Sequence, residues 1–260
     1  MHVTLYFSSP KTSSIRLPSA NLHMFQAMLY SLLPPQEADV LHNQGFNSDG
    51  KKMKLFAMSW PIASSLPQFG DETVVFPLPI KLVVTTPIES LISGFSGGAL
   101  SSGTLKIGNN FVECGRVETE QQIANSESMT IKTLSPVTCY ISNERDGRPY
   151  TRYLSPYDDI NEFQRSIYFN LVRKFRLIYP DRDIPGNEFK IIPVGNLKQR
   201  ISMYDKKKNG IFPIKGWWGK FRLEGPLELL QIALDCGLGA KNSSGWGCVT
   251  KCDLQTHMKC

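Results

Sequence analysis

Apolar periodicity changes in the same order twice along this chain, and that repetition constrains the fold more than any single motif does. In the first half, His2 to Phe7 alternates as a strand does, and Leu22, Phe25, Met28, Leu29 and Leu32 fall at helical spacing before the Pro34-Pro35 stop. A short helical turn, QEADVLHNQG, ends at Gly45. MKLFAMSWP reads as a strand, as does TVVFPLPIKLVVTTP, where Pro77 and Pro79 demand an edge or an interruption. PIESLISGFSGG reads as a helix closed by Gly97-Gly98, and Thr104 to Glu118 as a hairpin turning at Asn109-Asn110.

The second half opens with a strand, MTIKTLSPVTCYI, and a polar turn, NERDGRPYTRY. A helix from Pro156 to Ile178 begins with acidic residues and ends with basic ones, as the helix dipole favours. Strands at Glu188 to Pro193 and Ile201 to Tyr204, the turn KKKNG, and a strand from Ile211 to Arg222 follow. A helix from Pro226 to Cys236 carries Pro at its start, and GCVTKCDL is the last strand. Each half therefore reads β-α-β-β-α-β, which predicts an α+β chain of two tandem ferredoxin-like (RRM-like) domains. The polar stretch ETEQQIANSES sets their boundary near residue 125, giving domains at 1–125 and 126–260, both of ordinary domain size.

Lys plus Arg number 29 against 23 Asp plus Glu, a net charge of +6, which favours an anionic partner without naming one. The six cysteines include no CxxC pair and read as reduced thiols, and no cluster of acidic residues or histidines suggests a metal nuclease. Neither a metal nor a cofactor is expected. No segment approaches the roughly 20 apolar residues of a membrane span, and MHVTLYFSS is too short and polar for a signal peptide. The expectation is a soluble, cytoplasmic chain without a membrane partner.

One run stands apart: GLGAKNSSGWG, Gly237 to Gly247. A dinucleotide fingerprint places its glycines after a strand and before a helix, whereas here they follow a helix and precede a strand. Gly237 can cap the preceding helix, but Gly245 and Gly247 around Trp246, with Lys241, Asn242 and Ser243 at the crest, suggest a backbone cradle for a phosphodiester.

The pattern GxGxxxxxGxG, formed by Gly237, Gly239, Gly245 and Gly247 with Lys241-Asn242-Ser243 at its crest, closely resembles the C-terminal signature of the CRISPR repeat-processing endoribonucleases. These belong to the repeat-associated RNA-binding superfamily. TLSPV, FNLVRKF, AMLYSLL, VLHNQGF and KLFAMSW resemble further segments of that family, so the likeness reaches both halves. It implies CRISPR repeat RNA as the substrate, with an effector complex and a second copy of the chain as further partners. The implied reaction is metal-independent cleavage within the repeat by the RNA's own 2′-OH, leaving a 2′,3′-cyclic phosphate and a 5′-OH. A non-catalytic RNA-binding subunit of an effector complex is the alternative.

Such chemistry needs a group that moves protons near neutral pH and a cation or hydroxyl for the phosphorane. His2 and His257 read as surface residues, and His23, in the first turn of a helix, as solvent-facing. His42 precedes the polar loop NQGFNSDGKKMK, where catalytic groups concentrate, although a lone histidine is more often structural. The resemblance places His42 with Tyr30 and Lys54 in the family's catalytic set, and His23 remains a rival. Lys51 and Lys52 could substitute for Lys54. Lys132, Arg145, Arg148, Arg173, Lys174 and Arg176 are candidates for following the RNA backbone, with KKK at 206–208 as readily a solvated turn. Trp217 and Trp218 could stack a base, with packing the safer reading for one of them.

Overall fold

The computed structural model describes residues 1–252 apart from 49, 146–147, 187 and 207–209, and no side chain at 145, 148–149, 205–206 or 211. The first half contains β1 (His2–Ser8), β2 (Ser14–Pro18), α1 (Leu22–Ser31), α2 (Pro35–Asp39), a π-helical turn Val40–Gln44, β3 (Phe46–Ser48) and β4 (Lys51–Met53). It continues with β5 (Ala57–Met58), β6 (Ile62–Ala63), β7 (Gln68–Phe69), β8 (Thr73–Pro77), β9 (Ile80–Thr85), α3 (Glu89–Ser101), β10 (Thr104–Ile107) and β11 (Asn110–Glu120). The second half holds β12 (Ser128–Thr133), β13 (Tyr140–Arg145), β14 (Arg148–Tyr153), α4 (Ile160–Ile178), β15 (Lys190–Lys206), β16 (Gly210–Glu224), α5 (Leu227–Cys236) and β17 (Val249–Lys251).

The two main sheets have matching topology. In the first, the order is β10-β11-β1-β9-β5, and in the second β15-β16-β12-β17. Both place the opening strand between the closing strand and the third, with antiparallel neighbours throughout. That is the ferredoxin-like arrangement, present twice. Alternation along β1 and β9 buries Val3, Leu5, Phe7, Leu82 and Val84 against Phe25, Leu29 and Phe95 of α1 and α3. The second core joins Ile131 and Phe221 to Phe163, Ile167, Leu171 and Phe175 of α4 and to Leu229, Leu230 and Ala233 of α5. Each sheet hides one face under its two helices, and this burial is the main driving force for folding.

Several sequence expectations need correction. Gly97-Gly98 does not close α3, which runs on to Ser101. A Cβ on Gly98 would lie 2.0 Å from the Leu32 carbonyl oxygen and one on Gly94 2.7 Å from a Leu33 methyl, so these glycines let α3 pack against the end of α1. MTIKTLSPVTCYI is two strands, because after Thr133 the Leu134 and Ser135 amides turn to the Cys248 carbonyl and Pro136 follows. MKLFAMSWP is likewise split between β4, paired with β3, and β5, paired with β9, around Leu55 at φ 51. Conversely, the two strands expected before KKKNG are one, β15, carrying an irregularity between Val194 and Lys198. His2 is not a surface residue: it is 3% exposed, and burial, with the neighbouring terminal amine, pushes its pKa down to about 4. His257 and Lys207–Lys208 lie outside the described residues.

No helix among the described residues is long and apolar enough to cross a membrane. Cys114, Cys139, Cys236, Cys248 and Cys252 are free thiols.

Candidate functional site

The glycine-rich run forms the joint between the halves. Its crest, Asn242–Ser244, is a short 3-10 turn entered through Lys241 at φ 60 and left through Gly245 at φ 85. The Trp60 indole donates to the Gly245 carbonyl at 2.8 Å, and the Ser135 hydroxyl donates to the Met58 carbonyl at 3.0 Å while accepting from the Cys248 amide. Trp246 is wholly buried, its ring edge-on to Trp60.

The amides of Leu238, Ala240 and Gly247 donate to Gly247, Thr138 and Pro136 carbonyls. They are therefore consumed inside the protein, so the loop is less of an open amide cradle than its composition suggests. The glycines are there for close packing. A Cβ on Gly239 would fall 2.3 Å from the Thr138 oxygen and one on Gly247 1.9 Å from the Leu238 oxygen.

Lys174 departs from its expected role. It is 3% exposed, and its ammonium donates to the Cys236 and Gly237 carbonyls and to Asn242 Oδ1. All three ammonium protons are spent holding the loop from within, so it is not placed to follow an RNA backbone. Burial pushes its pKa down to about 8, opposed by the adjacent Cys236 and Cys139 thiols.

Lys174, Arg173, Asn170 and Ser166 share one face of α4, and this face borders a cleft of about 490 Å³. Lys51, Lys52 and Lys54 border it from the first half, with Tyr140 and Ser142 of β13 and Gly239, Lys241, Asn242 and Ser243 of the loop. No Asp or Glu is among the described residues lining it, which makes it a focus of positive potential. The Lys241 ammonium lies over the Tyr140 ring, 5.4 Å from its centroid. Lys132 is exposed on the outer face of the second sheet, directly opposite Lys220, and does not border the cleft. Arg145 and Arg148 close the β13–β14 hairpin, and their side chains lie outside the described residues. Trp217 packs edge-on to Tyr157 and donates to the Leu154 carbonyl, while Trp218 rests against Trp60.

The structure brings together Tyr30, His42 and Lys54. The Tyr30 and His42 rings meet edge to face with centroids 5.3 Å apart. Lys54 Nζ donates to the carbonyls of both Leu41 and His42, clamping the turn that carries the imidazole. Burial, reinforced by Lys52, lowers the Lys54 pKa. The Tyr30 hydroxyl is buried without a hydrogen-bond partner, and burial pushes its pKa up to about 12. The neighbouring Gln26 amide tempers that rise without closing a hydrogen bond; its nitrogen instead reaches Ser243 Oγ at 3.5 Å. The Tyr204 phenol adds to the rise from β15.

Two residues that sequence reasoning missed orient the imidazole. Asn43 Nδ2 donates to Asp39 Oδ1 at 2.5 Å, which turns Asn43 Oδ1 toward His42 Nδ1 at 2.9 Å. An amide oxygen only accepts, so Nδ1 carries the proton and Nε2 of the neutral ring is left with its lone pair. The i, i+4 spacing of Asp39 and Asn43 was a usable signal. His23, half-exposed on α1, has no comparable contact among those described.

A family sequence profile described as "CRISPR associated protein Cas6, C-terminal" matches residues 118–251, more than half of the chain. The chain belongs to the Cas6 family. A CRISPR-associated endoribonuclease Cas6 1 of Methanocaldococcus jannaschii is 26% identical over 172 residues, covering 65% of this chain and 62% of that relative. The match thus spans less than two thirds of the relative's length. Among solved structures, one described as a characterization of a Cas6-related gene from Pyrococcus furiosus superposes with TM-score 0.79 at 16% identity, over 98% of this chain and 99% of the other. One described as an RAMP protein binding different RNA substrates also reaches 0.79, at 17% identity, over 97% of this chain and all of the other. Both show the Cas6-type fold over essentially the whole chain.

Proposed function

We propose that this protein is a metal-independent endoribonuclease that cuts CRISPR precursor RNA within the repeat. The observation that carries this reading is the convergence of Tyr30, His42 and Lys54, with Lys54 also bordering the cation-lined cleft. The endoribonuclease name of the Methanocaldococcus relative supports it. In this reading residues 1–125 carry the chemistry, and residues 126–260 supply the loop and α4 that hold the RNA.

The step needs no external nucleophile. The 2′-oxygen bonds to the adjacent phosphorus as the P–O5′ bond breaks. One proton leaves the 2′-hydroxyl and another reaches the 5′-oxygen, so the products are a 2′,3′-cyclic phosphate and a 5′-OH, with nothing oxidised and no water consumed. His42 Nε2 is the group able to move a proton at this position, and such help contributes about 10²–10⁴-fold. Lys54 holds the His42 turn and brings a positive charge toward the phosphorane; Tyr30 is the donor to a non-bridging oxygen in this reading, a role that requires RNA binding to uncover a hydroxyl that the free protein encloses.

The test is incubation in EDTA with repeat RNA, with a copy bearing one 2′-deoxy substitution at the cut site, and with the His42→Ala variant alongside. Cleavage of the all-ribose RNA alone, lost in the variant, is the expected result. Cleavage that survives in His42→Ala moves the site to His23. Tight repeat binding without any cleavage leaves the non-catalytic effector subunit as the answer.

A further inference from the structure

Two aromatic rings meet one ammonium at the edge of the cleft. Lys241 Nζ lies 5.4 Å from the ring centroid of Tyr140, on β13, and 5.9 Å from that of Phe212, on β16. Both rings are partly exposed, and Tyr140 and Lys241 themselves border the cleft. Neighbours hold the rings in place. Tyr153 packs edge-on to Tyr140 across the β13–β14 pair, and its hydroxyl donates to the carbonyl of Pro213, the residue after Phe212. Tyr204 packs against Phe212 from β15. Lys241 reaches the rings from a left-handed backbone position, φ 60, that glycine occupies at far lower cost. The loop's other positive-φ positions are Gly237, Gly239, Gly245 and Gly247, so a lysine kept at this one implies that its side chain is used.

Magnitudes favour an exchange of partners. An ammonium over a ring at a partly solvated site gains about two- to fivefold in an equilibrium, whereas a base stacked on such a ring gains roughly tenfold. Lys241 also stands among Lys51, Lys52, Lys54 and Arg173 around a cleft with no carboxylate in its described lining, so a phosphate is a better partner for it than a ring. A nucleotide brings both groups at once, a base for the rings and a phosphate for the ammonium.

We propose that Tyr140 and Phe212 form a base-stacking platform that Lys241 covers in the free protein, and that an unpaired RNA base displaces the ammonium, which then pairs with that nucleotide's phosphate. This rests on the RNA-processing reading and adds to it a site for one single-stranded nucleotide. Stacking does not read base identity, so the platform sets where an unpaired base lies in the complex and leaves its type open.

The experiment uses the full chain and repeat RNA blocked by a 2′-deoxy nucleotide at the cut site. Copies that each carry one abasic position are titrated against wild type, Tyr140→Leu, Tyr140→Phe and Phe212→Leu, with thermal melting of each protein. One abasic position is expected to cost wild type about tenfold in Kd, to cost the two Leu variants little, and to cost Tyr140→Phe, which keeps the ring, as much as wild type. Lys241→Met is expected to lessen the slope of log Kd against log salt by about 0.7, because one phosphate contact is lost. If every abasic effect survives undiminished in both Leu variants, the platform is wrong although the repeat-binding reading stands. An unchanged salt slope in Lys241→Met means that the ammonium stays on the rings, which overturns the exchange. If wild type shows no preference for the repeat over unrelated RNA, both readings fall. Tyr140 and Phe212 lie on different strands, so a fold defect in one Leu variant leaves the other to decide.

Discussion

The Lys174 ammonium donates to Asn242 Oδ1 at 2.8 Å, linking the middle of α4 to the crest of the glycine-rich loop from beneath it. A lysine that sequence reasoning assigned to the RNA backbone thus shapes the surface the RNA would meet. Replacing it with Met leaves two carbonyls and one side-chain oxygen without their donor. Lys174→Met is expected to lower stability by about 3 kcal/mol and to weaken repeat binding, read by denaturant unfolding and by Kd. Unchanged values for both would show that the loop holds itself.

The same group sets a pH dependence with opposite signs in two measurements. Its folded pKa, about 8, lies below the ordinary 10.5, so between these values the unfolded chain binds more protons and this group's contribution to stability rises with pH. The grip on the loop needs the ammonium and fades as pH rises through about 8. Repeat affinity is therefore expected to fall across pH 8 more steeply in wild type than in Lys174→Met, and parallel curves would remove Lys174 as the cause.

Asn43 and His42 make a second coupled pair. Asn43→Ala frees the imidazole to change tautomer and is expected to slow cleavage up to about tenfold, with Kd for blocked RNA unchanged. In His42→Ala the Asn43 substitution should have no further effect. Additive losses in the double variant would mean that Asn43 acts elsewhere.

Tyr30 carries a cost in the free protein. Its buried hydroxyl lacks a partner, so Tyr30→Phe removes an unpaired group and is expected to raise stability by about 1 kcal/mol while reducing the cleavage rate. A variant that gains stability and keeps full activity would assign the hydroxyl no part in the reaction.

Two glycines separate packing from flexibility. At Gly239 a Cβ meets the Thr138 oxygen at 2.3 Å with φ 67, and Gly239→Ala is expected to cost more than about 2 kcal/mol. Gly97, inside α3 with nothing within 4 Å, should gain about 0.5–1 kcal/mol on replacement by Ala. Thermal unfolding of the two variants reads both signs at once.

Periodicity and local chemistry were enough to place β1, α1, α4 and α5, because each shows one apolar face to one core and that face is written in consecutive residues. The twofold β-α-β-β-α-β order followed from these, and the glycine pattern with its flanking helix and strand was legible for the same reason. What needed the tertiary structure were relations between distant residues. That Gly94 and Gly98 admit the end of α1, that Lys174 is enclosed under the loop, and that Lys241 lies over Tyr140 and Phe212 all depend on what packs against them. Neighbouring residues record a side chain's own chemistry, but burial and hydrogen bonding are settled by partners far along the chain, 68 positions apart for Lys174 and Asn242 and 185 for Trp60 and Gly245. The sequence alone determined two ferredoxin-like halves and a glycine-rich joint, whereas the fold of the loop over α4 decided that Lys174 is spent inside and the meeting of the two halves decided which cations face the cleft.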